Sequence, residues 1–205
     1  MTTILLIRHG ENDYVKKGRM AGRLPGVHLN DTGKEQAAAL AKVMAAWPVK
    51  AVYSSPLERT METAEPIAKA LGLRVIPEQG LSEIDVGEWQ DRTLKDLRRR
   101  KLWKTVHLNP SRMQFPGGES FVENQMRMRS ALENIVSSYK SKDLIVCVSH
   151  SDPIKLVVAH YIGMALDMFQ RLTIAPASIT GLKFSEYPTR LIMLNYEISF
   201  TLAKP

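Results

Sequence analysis

The sequence predicts an α/β fold in which a mostly parallel sheet is covered by helices on both faces. Two observations lead to this prediction. Short apolar runs alternate with longer segments of helical periodicity, and several of those segments open on residues that cap helices. At 205 residues the chain is long enough for one sizeable core, so we expect a single domain over residues 1–205.

The first half of the chain is predicted to alternate between strands and helices. The apolar run 4–7 is typical of a buried strand, and strands are also predicted over 50–53 and 73–76. Helices are predicted over 32–46 and 56–71, because Thr32 and Ser55 are each followed three residues later by a glutamate that can complete a capping box.

The second half repeats this alternation and ends on strands. Ser120 and Glu123 mark the start of a helix in the same way. The remaining predicted elements are helices over 93–103, 120–139 and 153–162 and strands over 144–149, 178–184 and 190–196.

The composition indicates which class of protein the chain belongs to. The chain is 44% hydrophobic and 24% charged, which is typical of a soluble globular protein. It shows no signal peptide and no apolar stretch of about 18 residues, so we expect a cytoplasmic protein without a membrane partner. The single cysteine, Cys147, lies in an apolar run and is predicted to be a buried thiol.

The formal net charge of +7 favours an anionic partner, which could be a phosphorylated metabolite, a nucleic acid or a membrane surface. The basic run 98–104 could contact nucleic acid, but a charged run on a helix is more often a solvated face. No recognised nucleic-acid module surrounds this run, so we expect no nucleic-acid partner.

Cationic side chains follow three of the predicted strands. Arg8 and His9 come directly after the strand 4–7, Arg59 lies in the first turn after the strand 50–53, and His150 follows the strand 144–149. The carboxyl ends of parallel strands meet at one edge of a sheet, so these four side chains are expected to converge. Guanidinium groups match phosphate oxygens, and a neutral imidazole can act as a nucleophile. The sequence therefore predicts phosphoryl transfer through a phosphohistidine.

We expect neither a metal nor a cofactor at this site. The histidines lack the i, i+4 spacing with an intervening glutamate that zinc sites use, and there is no cysteine cluster. The predicted reaction does require an acid that protonates the leaving alkoxide. The loop "LSEIDVGEW" at 81–89 offers Glu83, Asp85 and Glu88, and spacing alone does not choose among them.

Five motifs occur in order along nearly the whole chain. They are "RHGE" at 8–11, "YSSPLERTMETA" at 53–64, "LSEIDVGEW" at 81–89, "GGES" at 117–120 and "VSH" at 148–150. Together they resemble the histidine phosphatase superfamily, in the branch that contains cofactor-dependent phosphoglycerate mutases and their phosphatase relatives. The resemblance implies a three-layer α/β sandwich with a flap over the C-terminal edge of the sheet.

The resemblance also implies roles for individual residues. It implies that His9 is the nucleophile and that Glu83 is the proton donor, which decides the choice that spacing leaves open. The phosphoryl group would be held by Arg8, Arg59 and His150.

The chain departs from the family pattern at several positions. Asn12 could supply the asparagine contact that the family places nearby, and Ser151 puts a hydroxyl where a glycine is usual. The segment "AGRLPGVHLN" at 21–30 replaces the usual one. It places Arg23 and His28 on a predicted rim loop, where substrate binding and simple exposure are both plausible.

The function we expect is a metal-independent phosphomonoesterase that acts on a small phosphorylated metabolite. The chain is shorter than the mutases and lacks their insertion after the acidic loop, which favours a phosphatase. The alternatives are a phosphoglycerate mutase type of phosphoryl transfer, or a non-catalytic protein that binds phospho-ligands or nucleic acid. An exposed sheet edge could also pair two copies in a homodimer.

Overall fold

The structure, a computed structural model, describes residues 1–198 and contains a six-stranded sheet flanked by helices. The strands are β1 (Thr2–Arg8), β2 (Val49–Ser54), β3 (Val75–Pro77), β4 (Leu144–Ser149), β5 (Ile179–Phe184) and β6 (Arg190–Tyr196). The α-helices within these residues are α1 (Asp13–Lys16), α2 (Asp31–Met44), α3 (Glu58–Ala70), α4 (Leu94–Leu97), α5 (Leu102–Leu108), α6 (Phe121–Ser137) and α7 (Ser151–Tyr161).

The sheet is mostly parallel, as the alternation of elements predicts. Its strand order is β3-β2-β4-β1-β5-β6. The first four strands in this order run parallel to one another, and β5 and β6 add two antiparallel pairings at the far edge. Arg8 at the end of β1 is in register with Ser149 at the end of β4. The residues that follow these two strands therefore leave the sheet side by side.

Helices cover both faces of the sheet, which confirms the predicted three-layer arrangement. Successive side chains of β1 point to opposite faces, as a strand requires. Leu5 and Ile7 pack in a core with α2 and α3, whereas Ile4 and Leu6 pack in a core with α6 and α7. Strands buried on both faces have continuous apolar runs, which explains why these strands were recognisable in the sequence.

The predicted helix starts are confirmed at one position and wrong at two. Ser120 caps α6 in a complete capping box with Glu123. Helix α2 is instead capped by Asn30, whose side chain accepts a hydrogen bond from the Gly33 amide at 2.9 Å. Helix α3 begins at Glu58 without a side-chain cap. The Ser55 hydroxyl, expected to cap α3, lies 2.9 Å from the ring of His150.

The continuous helix predicted over 93–103 is wrong, because the chain forms the short helices α4 and α5 with a turn between them. Residues 98–101 are four consecutive cations, and like charges three residues apart disfavour a helix. The segment that carries these helices contributes Trp89, Trp103 and Phe115 to a cavity at the carboxyl ends of the parallel strands. This is the position expected for the flap.

The environment of the cysteine and the length of the helices test two further expectations within the described residues. Cys147 is a free and fully buried thiol in β4, as predicted. Among residues 1–198, no helix is long and apolar enough to cross a membrane.

Candidate active site

The structure brings the four predicted cationic residues together at the carboxyl ends of β1, β2 and β4. A cavity of about 320 Å³ is lined by Arg8, His9 and Arg59, among others. His150 is fully buried beside it, and the ring centroids of His9 and His150 are 5.2 Å apart. The convergence expected from the ends of three strands is therefore present.

Hydrogen bonding determines which nitrogen of His9 is available. Nδ1 of His9 lies 2.7 Å from the carbonyl oxygen of Gly10. A carbonyl can only accept, so Nδ1 carries the proton and the lone pair of Nε2 is free. Burial, together with the charges of Arg59 and Arg8, lowers the pKa of His9 well below its ordinary value. His9 is therefore a neutral imidazole whose Nε2 can act as a nucleophile.

Close packing against the start of α2 helps to hold the chain that follows His9. The Gly10 amide donates to Thr63 Oγ1 at 3.0 Å. A Cβ atom added at Gly33 would lie 2.0 Å from the carbonyl oxygen of Glu11. No side chain would fit at position 33, so glycine there lets the backbone of α2 pack closely against the chain that follows His9.

Arg59 is fully buried and Arg8 is partly buried, and each guanidinium group has a buried N–H donor that lacks a hydrogen-bond partner among the described residues. Arg8 Nη1 donates to the carbonyl oxygen of Ile174 at 2.6 Å, and Arg59 Nη2 donates to that of Gly22 at 2.7 Å. Arg8 Nε and Arg59 Nη1 are buried and have no hydrogen-bond partner among the described residues. Burial lowers the pKa of both groups, and the carboxyl of Glu83 opposes that effect. Unsatisfied buried cationic donors are costly, so this arrangement fits a bound anion.

His150 is held in one tautomer by its two neighbours. Its Nδ1 lies 3.2 Å from Arg59 Nη2, which can only donate, so Nδ1 accepts. Its Nε2 therefore carries the proton and donates to Ser55 Oγ at 2.9 Å. Burial and the charge of Arg59 lower the pKa of His150 well below its ordinary value. His150 is thus a second neutral imidazole at the same site.

Glu83 is the acidic residue of its loop that reaches the cavity. Its Oε1 accepts from the Ile84 amide at 2.9 Å, and its Oε2 lies 3.8 Å from Nδ1 of His150. Asp85 and Glu88 do not line the cavity: Asp85 accepts from the Gly87 amide, and Glu88 is exposed.

Burial raises the pKa of Glu83 to about 7, and the neighbouring carboxylate of Asp152 adds to this effect. A carboxyl group with this pKa is half protonated near neutrality. Glu83 can therefore donate a proton in one step and accept one in the next.

A network of charged side chains that the sequence did not predict supports Glu83. Glu119 Oε1 accepts from Arg23 Nη2 at 2.7 Å and from Arg127 Nε at 2.9 Å. Arg127 also donates to the carbonyl oxygens of Ser82 at 3.1 Å and Glu83 at 3.3 Å. Hydrogen bonds and the charge of Arg127 lower the pKa of Glu119 to about 2 against the opposing effect of burial, so Glu119 is ionised at neutral pH.

A signal for this network was present in the sequence. Glu119 belongs to the "GGES" motif, to which no role had been assigned. A Cβ atom added at Gly118 would lie 2.2 Å from the carbonyl oxygen of Asp85, so this loop packs directly on the loop of Glu83. Asn124, a polar residue among the apolar positions of α6, is a second such signal, and the structure shows that its side chain is buried.

The four predicted substrate-binding residues divide into two pairs. Asn12 and Ser151 line the cavity, and Asn12 also caps α1 by accepting from the Val15 amide at 2.9 Å. Arg23 and His28 do not line it. Arg23 is engaged by Glu119 and by the carbonyl oxygen of Glu83 at 2.9 Å, and His28 forms an ion pair with Glu62 on the surface.

The arrangement has the groups that phosphoryl transfer requires. A neutral nucleophilic imidazole faces two buried guanidinium groups, and a carboxyl group that can exchange protons lies nearby. Within residues 1–198, no three histidine, cysteine or acidic side chains cluster as metal ligands would.

Known proteins share both this sequence pattern and this fold. Residues 4–197 match the family described as the histidine phosphatase superfamily (branch 1). The chain is 30% identical to phosphoserine phosphatase 1 of Hydrogenobacter thermophilus, over 95% of this chain and 92% of that protein. It is also 30% identical to the probable phosphoglycerate mutase of Photorhabdus laumondii, over 92% of this chain and 87% of that protein.

Solved structures agree with this assignment. The mycobacterial glucosyl-3-phosphoglycerate phosphatase, in a structure described as complexed with VO3, superposes with a TM-score of 0.87 at 26% identity, over 95% of this chain and 99% of that chain. The chain therefore belongs to branch 1 of the histidine phosphatase superfamily and is a phosphatase or mutase of that family.

Proposed function

We propose that the protein is a phosphomonoesterase that hydrolyses a small phosphorylated metabolite through a phosphohistidine at His9. The observation that carries this proposal is the neutral His9, with Nε2 free, beside two buried guanidinium groups that have unpartnered N–H donors. These groups match the charge and the geometry of a phosphoryl group.

In the first step, Nε2 of His9 attacks phosphorus and the bond between phosphorus and the ester oxygen breaks. The protonated carboxyl of Glu83 gives its proton to the leaving oxygen, so the product is a neutral alcohol. Because the pKa of Glu83 is about 7, a large fraction of this carboxyl group is protonated at neutral pH.

In the second step, the carboxylate of Glu83 accepts a proton from water while the water oxygen attacks phosphorus. The P–N bond breaks, inorganic phosphate forms, and His9 returns to the neutral imidazole with its proton on Nδ1. Arg8 and Arg59 neutralise the oxygens of the transferring group in both steps, so fixed guanidinium donors supply the charge stabilisation and no metal ion is required.

A mutase would follow the same first step but would return the phosphoryl group to a second substrate oxygen. This candidate function is supported by the relative that is named as a probable phosphoglycerate mutase. A phosphoglycerate carries a carboxylate in addition to its phosphate. The cationic groups at the phosphate end of this cavity are Arg8 and Arg59, which a single phosphoryl group would occupy. This favours hydrolysis.

The test is to trap the covalent intermediate and to identify its fate. Wild type and His9→Ala are incubated with a panel of phosphomonoesters, and with 3-phosphoglycerate with and without a bisphosphorylated primer, in the presence of a chelator. Free phosphate, 2-phosphoglycerate and an acid-labile phosphoenzyme are measured.

Phosphate release that resists the chelator, with a phosphoenzyme that is absent in His9→Ala, is the expected result. Isomerisation that depends on the primer and releases no phosphate would show that the protein is a mutase and not a phosphatase. Binding of phosphate esters or nucleic acid without any turnover would contradict both.

A further inference from the structure

We propose that the alcohol part of the substrate is an apolar group about the size of an aromatic ring, rather than a small carboxylate such as glycerate or serine. This inference rests on the proposed function, because it assumes that the phosphoryl group lies between Arg8 and Arg59. It concerns the rest of the same cavity.

The cavity wall beyond the phosphate end is built from apolar side chains of separate segments. Prominent among them are Met20, Trp89, Leu94, Trp103, Val106 and Phe115. The indole rings of Trp89 and Trp103 are stacked with centroids 6.2 Å apart, and Phe115 packs edge-on against Trp89 at 5.3 Å. Trp89, Val106 and Phe115 are buried behind the wall and hold it in place, and the partly exposed side chains of Met20, Leu94 and Trp103 present its apolar surface to the leaving group.

The charged groups on this wall are already paired. Arg19 Nη2 donates to Asp91 Oδ1 at 2.6 Å, and its guanidinium carbon lies 5.8 Å from the centre of the Tyr14 ring. On the opposite side, the carboxylate of Asp152 lies 3.2 Å from Lys155 Nζ.

The imidazole of His107 packs against Trp103, with ring centroids 4.8 Å apart. Among the described residues that line this wall, no unpaired arginine or lysine faces a substrate carboxylate.

Desolvation then decides between the two kinds of leaving group. An ionised carboxylate in this wall would lose its water without gaining an ion pair. An apolar group would exchange water for the indole and phenyl surfaces, which is favourable. A volume of about 320 Å³ is at the lower end for small-molecule sites, so it suits a phosphoryl group with one ring.

The first experiment compares esters whose leaving groups are all simple alkoxides. The values of kcat/KM are measured for benzyl phosphate, ethyl phosphate, phosphoserine and 3-phosphoglycerate. Because these alcohols are of similar basicity, differences report recognition more than leaving-group chemistry. Benzyl phosphate is expected to exceed each of the other three by about tenfold or more.

A matched pair of variants on α5 locates the effect. Trp103→Ala removes an indole that lines the cavity, whereas Leu108→Ala shortens a side chain that is 68% exposed and does not line it. Trp103→Ala is expected to reduce the preference for benzyl over ethyl phosphate by about tenfold. Leu108→Ala is expected to keep the wild-type preference.

Binding of two stable phosphonates separates this proposal from the proposed function. Calorimetry on the wild-type protein compares benzylphosphonate with 3-phosphonopropionate, which carries a carboxylate. Tighter binding of benzylphosphonate without turnover of any ester would support the apolar site and overturn the phosphatase. Hydrolysis that depends on His9, with phosphoserine or 3-phosphoglycerate preferred over benzyl phosphate, would contradict the apolar leaving-group site. The same result would support the proposed phosphatase function.

Discussion

The two ends of the cavity are built from different parts of the chain and by different interactions. The phosphate end consists of Arg8, His9 and His150 at the ends of central strands, and of Arg59 at the start of α3. Each of these side chains is held by hydrogen bonds to the backbone or to another of these polar groups. The outer end consists mainly of aromatic and aliphatic side chains, many of them from the segment between β3 and α6.

This difference separates the groups proposed for chemistry from those proposed for selectivity, except that Glu83 lies in the segment between β3 and α6. Residues that follow central strands inherit the rigidity of the sheet, which suits groups that must be placed to within a fraction of an ångström. The apolar side chains of the segment between β3 and α6 lie outside the sheet, so we expect that they can change with little effect on the phosphate end. Variants at the two ends should therefore have separable effects.

The largest effect is expected at the nucleophile. His9→Ala should reduce kcat by about 10⁴-fold or more for every ester, because both ring nitrogens of the neighbouring His150 are engaged, by Arg59 and by Ser55. His160→Ala, which removes an exposed histidine of α7, is the matched control and should retain wild-type activity. Steady-state phosphate release measures both. Residual turnover in His9→Ala within tenfold of wild type would contradict the role of the phosphate end.

The next largest effect is expected at the proton donor. Glu83→Gln should reduce kcat by about 10²–10⁴-fold for alkyl esters, and by much less for p-nitrophenyl phosphate, whose leaving group needs no proton. The wild-type rate on alkyl esters should fall as pH rises above about 7, because the carboxyl of Glu83 loses its proton there. The rate of Glu83→Gln on alkyl esters should not show this decrease above pH 7.

These pH profiles are measured with benzyl phosphate and p-nitrophenyl phosphate as substrates. An equal loss on both esters in Glu83→Gln would exclude Glu83 as the acid. A wild-type profile that stays flat between pH 6 and 9 on the alkyl ester would have the same meaning.

A smaller effect is expected in the network that positions Glu83. Glu119→Gln removes the charge that pairs with Arg23 and Arg127, so the loop of Glu83 should lose part of its support. We expect kcat for alkyl esters to fall by about tenfold, with little change in KM and a smaller loss on p-nitrophenyl phosphate.

The control for this network is Glu133→Gln, which disrupts an exposed pair with Arg129 at 3.3 Å on α6. It should change neither kcat nor stability measurably, because exposed ion pairs contribute little. If Glu119→Gln slowed both classes of ester equally, Glu119 would be a structural residue and not one that positions the acid.

The smallest effect is expected on the surface beyond the cavity. His28→Ala should change kcat/KM by less than about twofold, because His28 is exposed and pairs with Glu62 away from the cavity lining. The pKa of His28 is raised by the hydrogen bond to Glu62. Steady-state kinetics with benzyl phosphate and phosphoserine provide the check, and a large change in KM for either ester would restore His28 as a substrate-binding residue.

Much of the fold and of the phosphate end could be predicted from the sequence. Buried strands have continuous apolar runs that can be recognised in the sequence. The rule that ligands bind beyond the carboxyl ends of parallel strands predicted that His9 and His150 lie close together. The helix over 93–103 was wrong, because local periodicity does not include the repulsion within 98–101. The start of α3 was misplaced because the Ser55 hydroxyl contacts a histidine 95 residues away.

The sequence by itself determined the order of the strands and of the longer helices and the residue types placed at the ends of the strands, since both follow from local periodicity and from general rules of chain connection. Only the tertiary structure decided the tautomers of His9 and His150, the raised pKa of Glu83 and its support by Glu119 and Arg127. It also decided that Arg23 supports Glu83 instead of lining the cavity. The physical reason is that protonation and hydrogen bonding depend on burial and on distances of a few ångströms between segments far apart in the chain, and no local pattern encodes those distances.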